Sequence, residues 1–324
     1  MYIDLEHWFL FEQLCKDNVE VKPLGSEKRS FLFKGAVTEL LTPFTPRGEV
    51  DIELLKSEVQ FQIDEGIGGL FVNGLASECL IMDLDQRIAA AKATISVAKG
   101  KVPVMGNIAC NFLDDAFRLL KAYEDLGADA VAITQPMVYP YPANGLYLFF
   151  KEIIKKARIP VYIYNAPQTN NELSPAFLAR LFKDFKEIRG YKDSTQDIIH
   201  LQTCVRELGP ENNLEIFAGS DGTILSTLQL GGAGVISLVS TVFPKVVIDL
   251  CEAFFQGNHK LAQNIQFKVL RIREILKIGP FMAGYKFVSG LMGHPMGTMK
   301  VPLSDLSDEE KDKIKRSLAQ EGLI

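Results

Sequence analysis

Short apolar runs alternate with amphipathic segments along the chain from Gly35 onward. The run Gly35–Leu41 predicts a strand, and after it Asp51 caps a helix that places Leu55 and Val59 on one face. The same strand–helix unit recurs eight times, and its strands are apolar on both faces, as buried parallel strands are. The predicted strands are 35–41, 68–73, 103–107, 129–134, 161–164, 188–192, 214–219 and 233–238, and the helices that follow them are 51–65, 84–99, 113–126, 144–157, 174–185, 196–208, 222–230 and 244–256.

Eight such units predict an α/β protein whose parallel strands close into a (β/α)8 barrel, the TIM barrel. A doubly wound sheet is the alternative. Its glycine-rich phosphate fingerprint, however, does not follow the first strand, where Thr42–Pro46 stands instead. The barrel is therefore the fold that the pattern favours.

The segments on either side of the barrel are predicted to be helical. Before it, an amphipathic helix over 3–16 leads into a polar linker, and this segment carries no recognisable chemistry. After it, three more helices are predicted at 259–277, 281–292 and 307–321. We expect three regions: an N-terminal extension, the barrel and a C-terminal helical region, over 1–33, 34–257 and 258–324.

Composition narrows the class of protein without naming its activity. The 324 residues are 47% hydrophobic and 23% charged, with a net charge of −5, which argues against nucleic acid or an acidic membrane as a partner. The five cysteines are scattered without a Cys-x-x-Cys pair, as expected for reduced thiols in the cytosol. No signal peptide and no stretch long enough to span a bilayer is recognised. We therefore expect a cytoplasmic protein.

Lys192 and Tyr164 are the candidate catalytic residues. Each is predicted at the C-terminal end of its strand, where barrel enzymes carry their active sites, and the two strands are consecutive. A lysine there is often only a surface charge and a tyrosine often only fills the barrel. Together they supply an amine able to form a Schiff base and a phenol able to move protons. We expect the apolar mouth to disfavour the charged form of the lysine, which would make its amine nucleophilic.

Candidate substrate-binding residues lie in turns that follow other strands. Backbone N–H groups of the turn Gly74–Glu78, which includes Leu75, Ala76 and Ser77, can hold a carboxylate, although a plain connection is equally compatible. Gly219, Asp221 and Ser237 could bind substrate hydroxyl groups. The four histidines lack metal-ligand spacing, so no metal and no cofactor is predicted.

These landmarks, taken together and in order, resemble the dihydrodipicolinate synthase/N-acetylneuraminate lyase family of pyruvate-dependent class I aldolases. They are Thr-Pro-Phe at 42–44, Gly-x-x-x-Glu at 74–78, Tyr-Asn-x-Pro at 164–167, Gly-x-Lys-Asp-Ser at 190–194, Gly-x-Asp at 219–221 and Lys-Val-Pro-Leu at 300–303. The resemblance runs from Gly35 to the C-terminus. It implies a barrel with a C-terminal helical part, a homotetramer or homodimer, and pyruvate bound as a Schiff base on Lys192. It further implies that Tyr164 shuttles the proton and that the turn at 74–78 holds the pyruvate carboxylate.

Three departures from the family pattern affect the expected substrate. Leu75 and Ala76 stand where the family carries two hydroxyl residues, and Ser77 replaces a glycine. The tyrosine that the synthases lend across a dimer falls at Val138, with Tyr139 close by, and Thr169 stands where they carry an arginine for the semialdehyde carboxylate.

These departures favour cleavage or synthesis of 2-oxo-3-deoxy sugar acids, or of related 2-oxo acids, from pyruvate and an aldehyde. Dihydrodipicolinate synthase or N-acetylneuraminate lyase activity is one alternative. A non-catalytic relative that binds a 2-oxo acid is another.

Overall fold

Eight parallel strands form a closed barrel in residues 30–209 and 213–324, the parts of the chain that the computed structural model describes. Neighbouring strands pair in sequence order, and the eighth closes on the first through the register Gly35↔Gly234 to Thr38↔Ser237. The predicted barrel is confirmed. The strands are β1 Gly35–Glu39, β2 Leu70–Val72, β3 Val104–Ile108, β4 Ala130–Thr134, β5 Val161–Asn165, β6 Ile188–Asp193, β7 Glu215–Ala218 and β8 Gly234–Ser237.

The helices of the described residues follow the predicted ones to within one helical turn. Asp51, Asp83 and Ser174 cap the helices they precede, each accepting a backbone N–H in the first turn as N-cap side chains do. The helices are α1 Ile52–Asp64, α2 Leu84–Ala98, α3 Leu113–Leu126, α4 Ala143–Ile154, α5 Pro175–Asp184, α6 Ile198–Leu208, α7 Ile224–Gln229, α8 Pro244–Phe255, α9 His259–Leu276, α10 Ala283–Leu291 and α11 Asp308–Gln320.

The barrel interior is a packed apolar core whose N-terminal end is closed by Phe33. This ring is fully buried and meets Tyr162 of β5 edge to face, with 5.8 Å between the ring centroids. The backbone N–H groups of Leu32 and Phe33 donate to the carboxylate of Glu215, to which the Tyr162 hydroxyl also donates. Because this end is filled, the opposite end is where a ligand can enter.

The expected helix over 3–16 lies outside the described residues, and the boundaries at 33/34 and 257/258 stay a prediction. Phe31–Ile324 form one compact unit. None of the helices in the described part of the chain is both long and apolar enough to cross a membrane.

Candidate active site

Lys192 and Tyr164 lie side by side at the C-terminal end of the barrel. They are register partners on β6 and β5, so their side chains leave adjacent strands at the same height. The Nζ atom of Lys192 is 4.0 Å from the centre of the Tyr164 ring and 4.3 Å from that of Phe71. The Tyr164 hydroxyl is 3.5 Å from Ser194 Oγ. An amine and a phenol thus share one buried site, the arrangement that imine chemistry needs.

Glu39, the last residue of β1, contacts Lys192 directly. It follows Val37 by two positions, so its side chain also points into the barrel. One carboxylate oxygen is 2.7 Å from Lys192 Nζ, and the other accepts the backbone N–H of Ala76 at 3.1 Å. Glu39 is 3% exposed and Lys192 is fully buried. The result is a buried ion pair in the middle of the candidate site.

This ion pair reverses the expectation for the charge of Lys192. Burial lowers the pKa of the amine, but the Glu39 carboxylate and the Tyr164 phenol outweigh it, and the pKa is raised above its ordinary value. Burial also raises the pKa of Tyr164. The predicted lowering was wrong because it counted the apolar surroundings and not a carboxylate. The contact with Glu39 therefore favours the ammonium form of Lys192.

The turn after β2 presents its backbone rather than hydroxyl groups to the site. Leu75–Ser77 form a single 3-10 turn, in which Leu75 and Ala76 line the cavity beside Glu39. The Ser77 hydroxyl is buried and donates to Gly74 O at 2.7 Å. A Cβ atom at Gly74 would overlap a Glu39 carboxylate oxygen. The glycine is therefore needed for the carboxylate to approach the turn.

A cavity of about 240 Å³ opens from Glu39 and Tyr164 toward the C-terminal helices. Arg273, near the end of α9, and Lys277, one turn later, both line it. Partial desolvation and the neighbouring guanidinium of Arg273 lower the pKa of Lys277. Tyr285 of α10 also lines the cavity, and its buried hydroxyl has no hydrogen-bond partner among the described residues. The cavity is smaller than the roughly 300–1,000 Å³ of sites for drug-sized ligands, so it suits small substrates.

Asp221 and Ser237, two of the other predicted binding residues, make hydrogen bonds within the protein. The carboxylate of Asp221 is buried and accepts the Ser237 hydroxyl and the backbone N–H groups of Leu238 and Val239 at 3.2 Å. Ser237 is fully buried behind it. Asp221 borders the cavity, but its carboxylate oxygens already accept these hydrogen bonds. The geometry therefore does not favour the predicted binding of substrate hydroxyl groups by Asp221 and Ser237.

Thr169 and Gly219 border the cavity. Thr169 donates its hydroxyl to Ala166 O at 2.8 Å. Gly219 has no room for a side chain, because a Cβ atom there would overlap Ser194 Oγ. Both therefore shape the wall without offering a free polar group.

Tyr139 does not reach the cavity of its own chain. It is 66% exposed, and its ring packs edge to face on Tyr141 with 6.3 Å between centroids.

His200 is a structural histidine, since its ring contacts Asn165, Tyr191 and Cys204. In residues 30–209 and 213–324, no group of three or more His, Cys, Asp or Glu could hold a metal ion.

Sequence reasoning missed Glu39, Arg273, Lys277 and Tyr285. For Glu39 a signal was present, because a carboxylate at the end of an otherwise apolar strand must find a buried partner. For the other three the sequence offers none, since α9 and α10 lie far along the chain from the strands whose ends they cover.

Comparisons with known proteins agree on one family. The model of the dihydrodipicolinate synthetase family matches residues 32–321. A 4-hydroxy-tetrahydrodipicolinate synthase of Thermotoga neapolitana is 31% identical over 295 residues, which are 90% of this chain and 100% of that protein. One of Nitratidesulfovibrio vulgaris is 30% identical over 293 residues, covering 90% and 99%.

Solved structures show the same likeness in three dimensions. The dihydrodipicolinate synthase of Thermotoga maritima superimposes with a TM-score of 0.86 at 28% identity, covering 91% of this chain and 100% of its own. YagE, a prophage protein of E. coli K12 solved in complex with pyruvate, gives a TM-score of 0.87 at 26% identity, with the same coverage.

Proposed function

The chain belongs to the dihydrodipicolinate synthetase family of pyruvate-dependent class I aldolases, and from that premise we propose that it condenses pyruvate with a small aldehyde that carries an anionic group. The family's enzymes are carbon–carbon lyases that work through a Schiff-base lysine, and this chain is an enzyme of that kind. The observation that carries the proposal is the register pair of Lys192 and Tyr164, which lies beside a cavity lined by Tyr164, Arg273 and Lys277.

Lys192 is the proposed Schiff-base residue. Its neutral amine adds to the ketone carbon of pyruvate. The adduct takes up a proton and loses water to leave an iminium ion, which accepts electrons when the neighbouring methyl group loses a proton. The enamine so formed attacks the aldehyde carbon. Tyr164 is the proposed proton carrier for these steps, because its hydroxyl lies in the same buried site and next to Ser194.

Arg273, Lys277 and Tyr285 support an anionic aldehyde as the second substrate. Thr169 cannot supply the cation that the synthases have at that position, but Arg273 and Lys277 bring two positive charges to the same cavity. An anion between them relieves their mutual repulsion, and the unpartnered Tyr285 hydroxyl can donate to it. The missing arginine therefore no longer argues against a substrate with a second carboxylate.

The comparisons favour synthase activity over the cleavage of sugar acids that the sequence analysis preferred. The curated relatives described above are 4-hydroxy-tetrahydrodipicolinate synthases. The main argument against that activity was Thr169 in place of an arginine, and Arg273 and Lys277 supply positive charge to the same cavity. We therefore take aspartate semialdehyde as the first candidate aldehyde. A sugar-derived aldehyde is the second candidate, because the polar side chains of Gln168, Gln196 and Ser220 also line the cavity.

The proposed assembly is a homotetramer or homodimer. The exposed apolar side chains of Phe112, Val138 and Tyr139 support a contact surface on that face of the barrel. Sedimentation analysis of the full chain tests it.

Two measurements test the proposed function. Treatment with pyruvate and borohydride should add the mass of reduced pyruvate, and peptide mapping should find it at Lys192. Labelling at Lys34 or Lys286 instead would contradict the assignment. Steady-state assays with pyruvate and either aspartate semialdehyde or glyceraldehyde should then show the larger kcat/KM for the semialdehyde, and the reverse order would favour the sugar-acid alternative.

A further inference from the structure

The Glu39 carboxylate touches the two groups that a 2-oxo acid needs. A 2-oxo acid must place its carbonyl carbon at Lys192 Nζ and its carboxylate at a donor close by. In this site, Glu39 already places one oxygen 2.7 Å from Lys192 Nζ and the other 3.1 Å from the N–H of Ala76. That N–H lies in the turn whose backbone can hold a carboxylate. Glu39 therefore bridges the positions of substrate carbonyl and substrate carboxylate.

The walls of the site are fitted to this carboxylate. Gly74 leaves room for the Glu39 oxygen where any side chain would overlap it. The turn residues beside it, Leu75 and Ala76, bring no hydroxyl group that could compete for the backbone N–H. Glu39 is 3% exposed, so water does not replace these contacts. The turn therefore accommodates the carboxylate of Glu39, a residue of the chain itself.

We propose that Glu39 is an internal stand-in for the carboxylate of the 2-oxo acid and sets how strongly the site prefers an acid over a neutral ketone. Pyruvate must displace Glu39 from Ala76 before its carbonyl reaches Lys192. A neutral methyl ketone needs no such displacement, because it brings no carboxylate to the turn. This inference rests on the proposed function, since it assumes that Lys192 condenses with ketones.

Displacement of Glu39 is linked to activation of the amine. Two carboxylates at one turn repel each other strongly in a buried site, so Glu39 must leave Ala76 when pyruvate binds there. Because the other Glu39 oxygen is 2.7 Å from Lys192 Nζ, a Glu39 side chain that leaves the turn also loses its contact with the amine. That contact favours the ammonium form of Lys192, so its loss favours the neutral amine. Substrate binding and activation of the amine are thereby linked through Glu39.

The test compares two ketones that differ by the carboxylate. The purified full chain is titrated with pyruvate and, separately, with acetone, and the imine is trapped by borohydride and mapped to Lys192. The variants are Glu39→Ala and the isosteric Glu39→Gln, which retains the shape of the side chain should the smaller residue disturb folding. Glu215→Gln is the matched control, because it neutralises another buried glutamate of the barrel, at the closed end beside Phe33.

We expect the preference for pyruvate over acetone to rise at least about tenfold in Glu39→Ala, the effect of one hydrogen bond to a charged group. Glu39→Gln should move it in the same direction and Glu215→Gln should leave it unchanged. The ratio is decisive because freeing the lysine alone would favour both ketones equally.

An unchanged preference, or one that falls, would overturn the inference; slower trapping of both ketones would assign Glu39 to proton transfer instead. Wild-type protein that traps pyruvate at Lys192 while the ratio stays constant in the variants refutes this inference alone. Failure of wild type and variants alike to trap pyruvate at Lys192 refutes the proposed function, and this inference with it.

Discussion

Replacement of Arg273 by Gln tests whether the C-terminal cations bind the aldehyde. The guanidinium lines the cavity and donates to Gln196 Oε1 at 3.2 Å, a contact that leaves other N–H groups available to a substrate. Glutamine keeps much of the length and polarity of arginine but removes the charge. The change therefore affects an anionic aldehyde and spares a neutral one.

The expected loss can be worked out from the exposure of the side chain. A hydrogen bond to a charged group contributes about 1.5–3 kcal/mol, or roughly 10- to 150-fold. Arg273 is only partly buried, and solvent screening places its contribution at the lower end of that range. We therefore expect kcat/KM for aspartate semialdehyde to fall about tenfold in Arg273→Gln, with most of the change in the KM of the aldehyde.

The assay measures initial rates at saturating pyruvate with aspartate semialdehyde and with glyceraldehyde. Arg271→Gln is the control, because Arg271 lies on the same helix but pairs with Glu321 on the surface at 2.8 Å. Glyceraldehyde kinetics should be unchanged in both variants. If Arg273→Gln slows both aldehydes equally, or if Arg271→Gln has the same effect, the cations do not bind the aldehyde's charge.

Three further outcomes are expected. Tyr164→Phe should lower kcat by a factor on the order of 10²–10⁴ while pyruvate is still trapped at Lys192. An unchanged kcat would mean that another group transfers the proton. The KM of the anionic aldehyde should rise with pH, and the rise should begin below about 10.4, the ordinary pKa of a lysine, because Lys277 has a lowered pKa and loses its charge at a lower pH. Lys277→Met should abolish this rise. Glu78→Gln should reduce the free energy of unfolding in urea by about 3–5 kcal/mol, because it removes the carboxylate that lies 2.5 Å from the buried Lys286 ammonium and leaves that ammonium only its hydrogen bond to Thr298 O; a loss below about 1 kcal/mol would contradict this account.

The barrel could be predicted from the sequence because its signals are local. Each strand is a short apolar run, each helix begins at a capping residue such as Asp51 or Asp83, and the units repeat. Closure of eight units then follows from their number. The packing of Phe33 into the closed end was not predicted, because its backbone N–H donates to Glu215 and its ring packs on Tyr162, and both residues lie far away in the sequence.

The site was only half predictable for the same reason. The relation of Tyr164 to Lys192 follows from the spacing of consecutive strands. The charge of Lys192 does not, because it depends on Glu39, 153 positions away in sequence and across the barrel in space. The positions of Arg273 and Lys277 depend on how α9 crosses the mouth, which no local pattern encodes.

The presence of Glu39 and the absence of hydroxyl groups at positions 75 and 76 are structurally linked. Hydroxyl groups at 75 and 76 would have to compete with Glu39 for the same turn, and a buried hydroxyl without a partner is costly. With Leu75 and Ala76 in place, the turn offers its N–H to Glu39 and loses nothing when the substrate is absent. The departure from the family pattern therefore does not by itself indicate a dead site. It leaves the backbone N–H of the turn to the carboxylate that the chain supplies, as the proposed role of Glu39 requires.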